Sequence, residues 1–376
     1  MSIRIDRIVL REIRLPLREE FRISSGGTSV RRILLLMLSD RDGGTAWSEC
    51  TAAESPNYSP ETIDTAWLAI REWIAPLVLG HEFGEPGEVH PVLERRIRGH
   101  NMAKAAVEMG AWALAAQRSE TSLARLLGGT RSEIATGISL GIQPDPEALV
   151  ERARAAVAAG YQRVKCKIAP GVDVEYIAAL RAALGNDVSL SVDANAAYAL
   201  DDADQLVRLD EFGLVMIEQP LAAGDLLRHA ELQKRLRTPI CLDESIAGPQ
   251  SAEDMLKLGS GKIVNIKAGR VGGLAAAVAI HDICAAHDVP VWCGGMLESG
   301  IGRAYNVALA ALANFTLPGD VSPSARYWER DIVTPEWTMN STGLVRVPAE
   351  RPGIGVTVNV DRVEDLTERA ETLVAI

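Results

Sequence analysis

Between Ile134 and Leu317 the chain alternates short apolar runs with longer amphipathic stretches in a regular beat. The apolar runs fall at 134–140, 163–167, 188–193, 214–217, 240–243, 263–267, 290–293 and, more faintly, 314–317. They are rich in Val, Ile and Leu with little polar alternation, the pattern of strands buried on both faces of a parallel sheet. Segments 146–159, 173–184, 225–236 and 274–286 read as helices. Turn and capping residues such as Pro144-Asp145 and Gly171-Val172-Asp173 precede them. Strand and helix in strict alternation predict βα units closed into a barrel. An open doubly wound sheet is the alternative, but it places its ligand at one switch point. Here five consecutive strands end in charged residues.

The flanking regions keep a different rhythm. Residues 3–13 and 32–39 read as strands, separated by a polar, glycine-containing loop from Phe21 to Thr28. A strand near 45–48 leads into a second such stretch, Glu49 to Tyr58. Helical patterns then run over 60–74, 89–98 and 102–117. Strands followed by helices predict a separate α+β domain over residues 1–125, with the barrel over 126–320. The tail, 321–376, shows short strands near 343–347 and 355–359 and a closing helix from Val363, and is expected to pack back on the first domain.

Composition narrows the class. With 376 residues, 47% hydrophobic and 24% charged, the chain buries a large core and shows no disordered composition. A formal charge of −11 argues against nucleic-acid binding. No apolar run reaches the length of a membrane span, and Met-Ser-Ile-Arg-Ile-Asp lacks the apolar core of a signal peptide. Five cysteines without CxxC spacing indicate neither a disulfide framework nor a zinc site. The expectation is a cytoplasmic protein acting on a small-molecule carboxylate, with no nucleic-acid or membrane partner, that forms a homo-oligomer.

The charged strand ends carry the chemistry. Lys167, Asp193, Glu218, Asp243 and Lys267 follow one another at steps of 26, 25, 25 and 24 residues, the span of one βα unit. They are therefore expected at the same, C-terminal ends of successive strands, where barrel enzymes build their sites. Three carboxylates with no sulfur or imidazole form a hard-oxygen set suited to Mg²⁺ or Mn²⁺. Without a cation such close carboxylates would raise one another's pKa. Lys165 and Lys167 share a face because strand side chains alternate, and one of so close a pair is expected to have a lowered pKa. Lys267, on the strand after Asp243, should reach the substrate from the opposite side. Two bases and a divalent cation suit removal of a proton α to a carboxylate, an arrangement known for enolase-superfamily sites.

The motifs Lys165-Cys-Lys167-Ile, Val192-Asp193-Ala-Asn195, Ile217-Glu218-Gln-Pro, Leu242-Asp243-Glu244-Ser245 and Asn265-Ile-Lys267-Ala-Gly-Arg270 resemble the enolase superfamily. Within it they resemble the muconate-lactonizing-type subgroup, and most closely the N-succinylamino acid racemase/o-succinylbenzoate synthase family. The likeness extends through Trp292-Cys-Gly-Gly-Met296-Leu297-Glu298 and the tail at Leu317-Pro-Gly-Asp320. It implies a (β/α)7β barrel of the TIM type under an α+β capping domain completed by the C-terminal tail. It implies Lys167 and Lys267 as the acid/base pair, Lys165 as an auxiliary lysine, and Asp193, Glu218 and Asp243 as the ligands of Mg²⁺ or Mn²⁺. Asn195, Glu244 and Arg270 are expected behind those ligands. Ser139, Met296, Leu297 and Glu298 match substrate-side positions, with Ser24 and Tyr58 on capping loops that close over the substrate tail. The implied reactions are racemisation of N-succinylamino (N-acylamino) acids and dehydration of 2-succinyl-6-hydroxy-2,4-cyclohexadiene-1-carboxylate. Arg270, three residues after Lys267, is expected to lower that lysine's pKa, which favours the racemase.

Other readings fit less well. A mandelate-racemase-type site would put a histidine in place of Lys267, and all six histidines fall elsewhere. Dipeptide epimerases share both lysines but carry Asp-x-Asp where this chain has Met296-Leu297-Glu298. Muconate cycloisomerisation stays open on the same scaffold. A barrel kept only for binding would have lost a ligand or a base, and all five residues are present.

Overall fold

The computed structural model describes residues 2–23 and 26–375. Its N-terminal part is a four-stranded antiparallel sheet. Strands β1 (Arg7–Ile23) and β2 (Gly26–Ser39) form a long hairpin, and β3 (Thr45–Cys50) pairs with β2. Along β1 the residues Ile8, Leu10, Ile13 and Leu15 are buried. Phe21 pairs with Thr28 and Arg22 with Gly27, so the stretch expected as a loop is the hairpin's outer end. Ser24 lies outside the described residues. Helix α1 (Asn101–Arg118) packs beneath the sheet and is buried over nearly its whole length. Its alanines and Gly110 allow that closeness, since a Cβ on Gly110 would stand 2.6 Å from Leu38.

The second part is a seven-stranded, all-parallel curled sheet. Its strands are β4 (Gly137–Leu140), β5 (Arg163–Lys167), β6 (Leu190–Asp193), β7 (Ile217–Glu218), β8 (Ile240–Leu242), β9 (Ile263–Ile266) and β10 (Val291–Cys293), in sequential order. The faint eighth run forms no ladder. Phe315 instead bridges Val291 of β10, and Gly319 bridges Thr136 beside β4, so residues 315–319 span the gap. Helices α2 (Leu274–Ala285) and α3 (Gly300–Ala310) follow β9 and β10. The run expected as one strand over 134–140 is split. Residues Glu133–Ala135 pair antiparallel with Leu344–Arg346, and only Gly137–Leu140 enters the barrel.

The tail corrects one expectation. A short helix, Val360–Asp365, is followed by strand β11 (Thr367–Val374), not by a longer helix, and β11 pairs with β1 at the edge of the N-terminal sheet. In Thr367-Glu-Arg-Ala-Glu-Thr-Leu-Val374 exposure alternates residue by residue, the period of a strand and not of a helix. Among the described residues no helix is long and apolar enough to cross a membrane, and the five cysteines are buried and unpaired.

Candidate active site

Strand register brings the charged ends to one level. Lys167 pairs with Asp193, Asp193 with Glu218, and Ser139 with Lys165. Glu218 pairs with Cys241, so Asp243 lies just past the end of β8. Lys167 and Lys267 stand on β5 and just beyond β9, with the three carboxylate-bearing strands between them. Asp193, Glu218 and Asp243 are at most 1% exposed.

Cations and carboxylates interleave at this level. Lys167 Nζ lies 2.6 Å from Asp193 Oδ2 and 2.6 Å from Asn195 Oδ1. Lys165 Nζ is 2.9 Å from Glu218, 3.3 Å from Asp193 and 2.7 Å from Asp320. Lys267 Nζ donates to Asp243 Oδ2 at 2.7 Å and to Tyr58 Oη at 2.9 Å. The Tyr58 hydroxyl in turn donates to Asp243, at 3.1 Å. Around this ring Asn195 Nδ2 holds Glu244 at 3.0 Å, and Asn265 Nδ2 holds Glu218 at 2.7 Å. Gln219 Oε1 accepts from the backbone N–H of Asp243 and Ser245, fixing the turn after β8. Trp292 floors the site, its ring under Arg163 at 4.0 Å and Lys165 at 4.7 Å.

The electrostatics follow from burial and neighbours. Burial, then the charges of Asp193 and Asp243, push Glu218 up to about 7. Burial with the same two aspartates pushes Glu244 up to about 8. Burial would also raise Asp193, but Lys167 and Lys165 more than reverse it and hold it well below the carboxylate range. Lys267 and Arg270 do the same for Asp243. Lys165 and Lys267 do not show a depression. Burial acts to lower Lys165 and Lys267, yet the surrounding carboxylates, Asp320 and Asp243 foremost, carry both well above the usual value. Arg270 reaches Lys267 through Asp243, which both cations share. Its Nη2 pairs with Asp243 Oδ1 at 3.0 Å, and it braces the neighbouring backbone at Asn265 and Ile246.

A cavity of about 130 Å³ opens above the ring. Lys167, Asn195 and Lys267 line its floor, Met296 and Leu297 one side, and Phe21, Arg31, Thr51 and Tyr58 the capping side. Leu297 reaches its place through a left-handed backbone, φ +57. Glu298 does not line this cavity, and its carboxylate accepts from Asn306 at 2.9 Å. Ser139 is buried beside Lys165 and its hydroxyl has no partner among the described residues. Asn265, Asp320, Gln219 and Arg31 belong to the site but were not singled out as site residues from sequence. Asn265 could have been, since it precedes Lys267 by two and so shares its strand face. A lone arginine on a capping strand carries no such signal.

Two family models match the chain. Residues 5–128 match the N-terminal domain of the mandelate racemase / muconate lactonizing enzyme family, and residues 148–363 match the enolase C-terminal domain-like family. The chain belongs to the enolase superfamily. Within this superfamily it is 49% identical to an o-succinylbenzoate synthase of Geobacillus kaustophilus, over 99% of this chain and 98% of that protein. It is 46% identical to an N-succinylamino acid racemase of Amycolatopsis sp., over 96% of each chain. It thus falls in the family of o-succinylbenzoate synthases and N-succinylamino acid racemases. The crystal structure of an enolase-superfamily member from Listeria innocua superposes with a TM-score of 0.95, at 38% identity and over 99% of both chains. A more distant relative in fold, a dipeptide epimerase of Cytophaga hutchinsonii at 23% identity and TM-score 0.90, was solved with Mg; it covers 98% of this chain and is itself covered in full.

Proposed function

We propose that this protein is a two-base enzyme that removes the proton α to a carboxylate. Its substrates are then N-succinylamino acids, which it racemises, the cyclohexadiene precursor of o-succinylbenzoate, which it dehydrates, or both. One observation carries the reading. Lys167 and Lys267 flank three buried carboxylates from opposite sides and open into one cavity.

The donor set fits a divalent cation. Asp193, Glu218 and Asp243 offer hard oxygen ligands, and burial and the charges of the two aspartates, which push Glu218 up to about 7, are penalties that a shared cation offsets. As placed, no three carboxylates, imidazoles or thiols converge on a point among the described residues; lysine ammonium groups stand between the acids. Bound there, Mg²⁺ or Mn²⁺ would neutralise charge on the substrate carboxylate and displace those ammonium groups from the aspartates.

The chain's own residues supply the rest. An ammonium has no free electron pair, so a lysine must leave its aspartate and release its own proton to solvent before it can take another. Either lysine then takes the α-proton from one face, and the other, protonated, delivers a proton to the opposite face. Lys165, bound to Glu218, Asp193 and Asp320 on the Trp292 ring, is too encumbered to titrate and holds positive charge beneath the carboxylates. Tyr58 closes over Lys267 with its ring 4.6 Å from the ammonium and excludes water. The test is incubation with Mg²⁺ in D₂O of N-succinyl-L-phenylalanine and, separately, of the cyclohexadiene precursor. Loss of the α-proton with loss of rotation supports racemisation, and conversion of the second substrate supports dehydration. No reaction of either with metal bound would overturn the assignment.

A further inference from the structure

Among the described residues four arginines are buried, with very different partners. Arg163 pairs with Asp320 at 3.2 Å and stacks on Trp292. Arg270 pairs with Asp243, and Arg303 binds the carbonyls of Ser322 and Glu298 while lying over Tyr327. Arg31 is 5% exposed, yet among the described residues it makes one hydrogen bond, from Nη2 to the Thr51 carbonyl at 2.9 Å, and no ion pair. Its Nε is buried without a partner, and so is the hydroxyl of Thr51 beside it.

A guanidinium withdrawn from water and left unpaired is costly. The carboxylate that acts most on it is Glu49, which is itself engaged elsewhere. It accepts from the Ser299 N–H at 3.1 Å, the Ser299 hydroxyl at 2.6 Å and the Gly302 N–H at 3.0 Å, capping the start of α3. Glu298 is likewise held by Asn306. Arg31 and Thr51 instead line the capping side of the cavity whose floor carries Lys167 and Lys267.

We propose that Arg31 binds a second carboxylate on the substrate, at the far end of its acyl arm, with the Thr51 hydroxyl as a further donor. The inference rests on the α-proton-abstraction reading for the position of the first carboxylate, at the floor. The second would sit under the capping sheet, against Phe21 and Met296. A planar fork suits a carboxylate bidentately where a lysine would not. Arg31 thereby selects among acyl arms for the succinyl substrates proposed above, and a neutral arm of equal length is discriminated against.

The experiment titrates N-succinylglycine and N-butyrylglycine into the Mg²⁺-loaded protein by calorimetry, for wild type, Arg31→Met and Arg31→Lys. Racemisation of N-succinyl-L-phenylalanine is followed alongside. Wild type should prefer the succinyl ligand by about tenfold or more. Arg31→Met should lose that preference while keeping the butyryl affinity, and Arg31→Lys should keep part of it. Equal binding of both ligands by wild type, no binding of either, or an equal loss of both in Arg31→Met would overturn the proposal. Should Arg31→Met not fold, the wild-type preference and the Arg31→Lys result decide. Preferential binding without racemisation or proton exchange would leave Arg31 standing and remove the reaction.

Discussion

Arg270 Nη2 lies 3.0 Å from Asp243 Oδ1, while Lys267 grips the other oxygen of the same carboxylate at 2.7 Å. The arginine therefore acts on the lysine through a shared aspartate. With Arg270 in place Asp243 is already partly neutralised, so Lys267 is held less tightly and can leave to move protons. Arg270→Met should slow racemisation by about tenfold or more, because Lys267 must take and give protons there. Dehydration, in which Lys267 need only stabilise charge, should suffer less. Loss of a buried partner should also cost about 3 kcal/mol of stability. Parallel rate measurements on both substrates check the split, and equal losses would contradict it.

Gly294 crowds the same lysine. A Cβ there would lie 2.3 Å from Asn265 Oδ1 and 2.6 Å from Lys267 Cε. Gly294→Ala should displace Lys267 and lower kcat by about a hundredfold, the cost of a misplacement near 1 Å. Its circular dichroism should match wild type, and a kcat within a factor of two of wild type would show that the space is not needed.

Binding of a divalent cation should appear as stability. At a hundred times its Kd, Mg²⁺ should add about 2.7 kcal/mol to the folded state. Asp193→Asn or Asp243→Asn should abolish that gain in thermal melts with and without EDTA. A gain unaltered in both variants would place the cation elsewhere.

Glu108 on α1 accepts from the Leu274 N–H at 2.7 Å and the Ala275 N–H at 2.9 Å, so a capping-domain acid caps the barrel helix that follows Lys267. Burial, opposed by those bonds, pushes it up to about 7 from an ordinary 4.5. The folded state thus holds the proton more tightly than the unfolded one. This stabilisation is fully present below pH 4.5 and is lost as pH rises through 7. Relative to Glu108→Gln, wild type should lose up to about 3 kcal/mol between pH 4.5 and 8 in urea titrations. Parallel pH curves for the two proteins would contradict this.

Much of this was legible in the sequence because barrel strands impose a repeat. A step of about 25 residues brings Lys167, Asp193, Glu218, Asp243 and Lys267 to one rim; the register aligns the first three, and Asp243 and Lys267 follow just past the ends of their strands. What the repeat does not govern was less legible. Residues 21–28 read as a loop because glycine and serine dominate, yet cross-strand pairing to Thr28 and Gly27 extends the hairpin. A closing helix was expected from Val363, whereas an open sheet edge beside β1 recruits the alternating Thr367–Val374. The raised proton affinity of Lys165 and Lys267 was not legible either, because it depends on how many carboxylates gather round each ammonium in the fold. Glu298 was expected at the substrate from the family resemblance, whereas its carboxylate accepts from Asn306, a contact no sequence spacing announces.

The central claim is that two lysines serve opposite faces of one α-carbon. The direct measurement is interconversion of N-succinyl-L- and N-succinyl-D-phenylalanine in D₂O with Mg²⁺, for wild type, Lys167→Ala and Lys267→Ala. Wild type should interconvert both enantiomers with deuterium entering the product. Each lysine variant should lose interconversion by about a thousandfold or more while still binding Mg²⁺. A variant that lacks either lysine and still racemises near the wild-type rate would contradict the account.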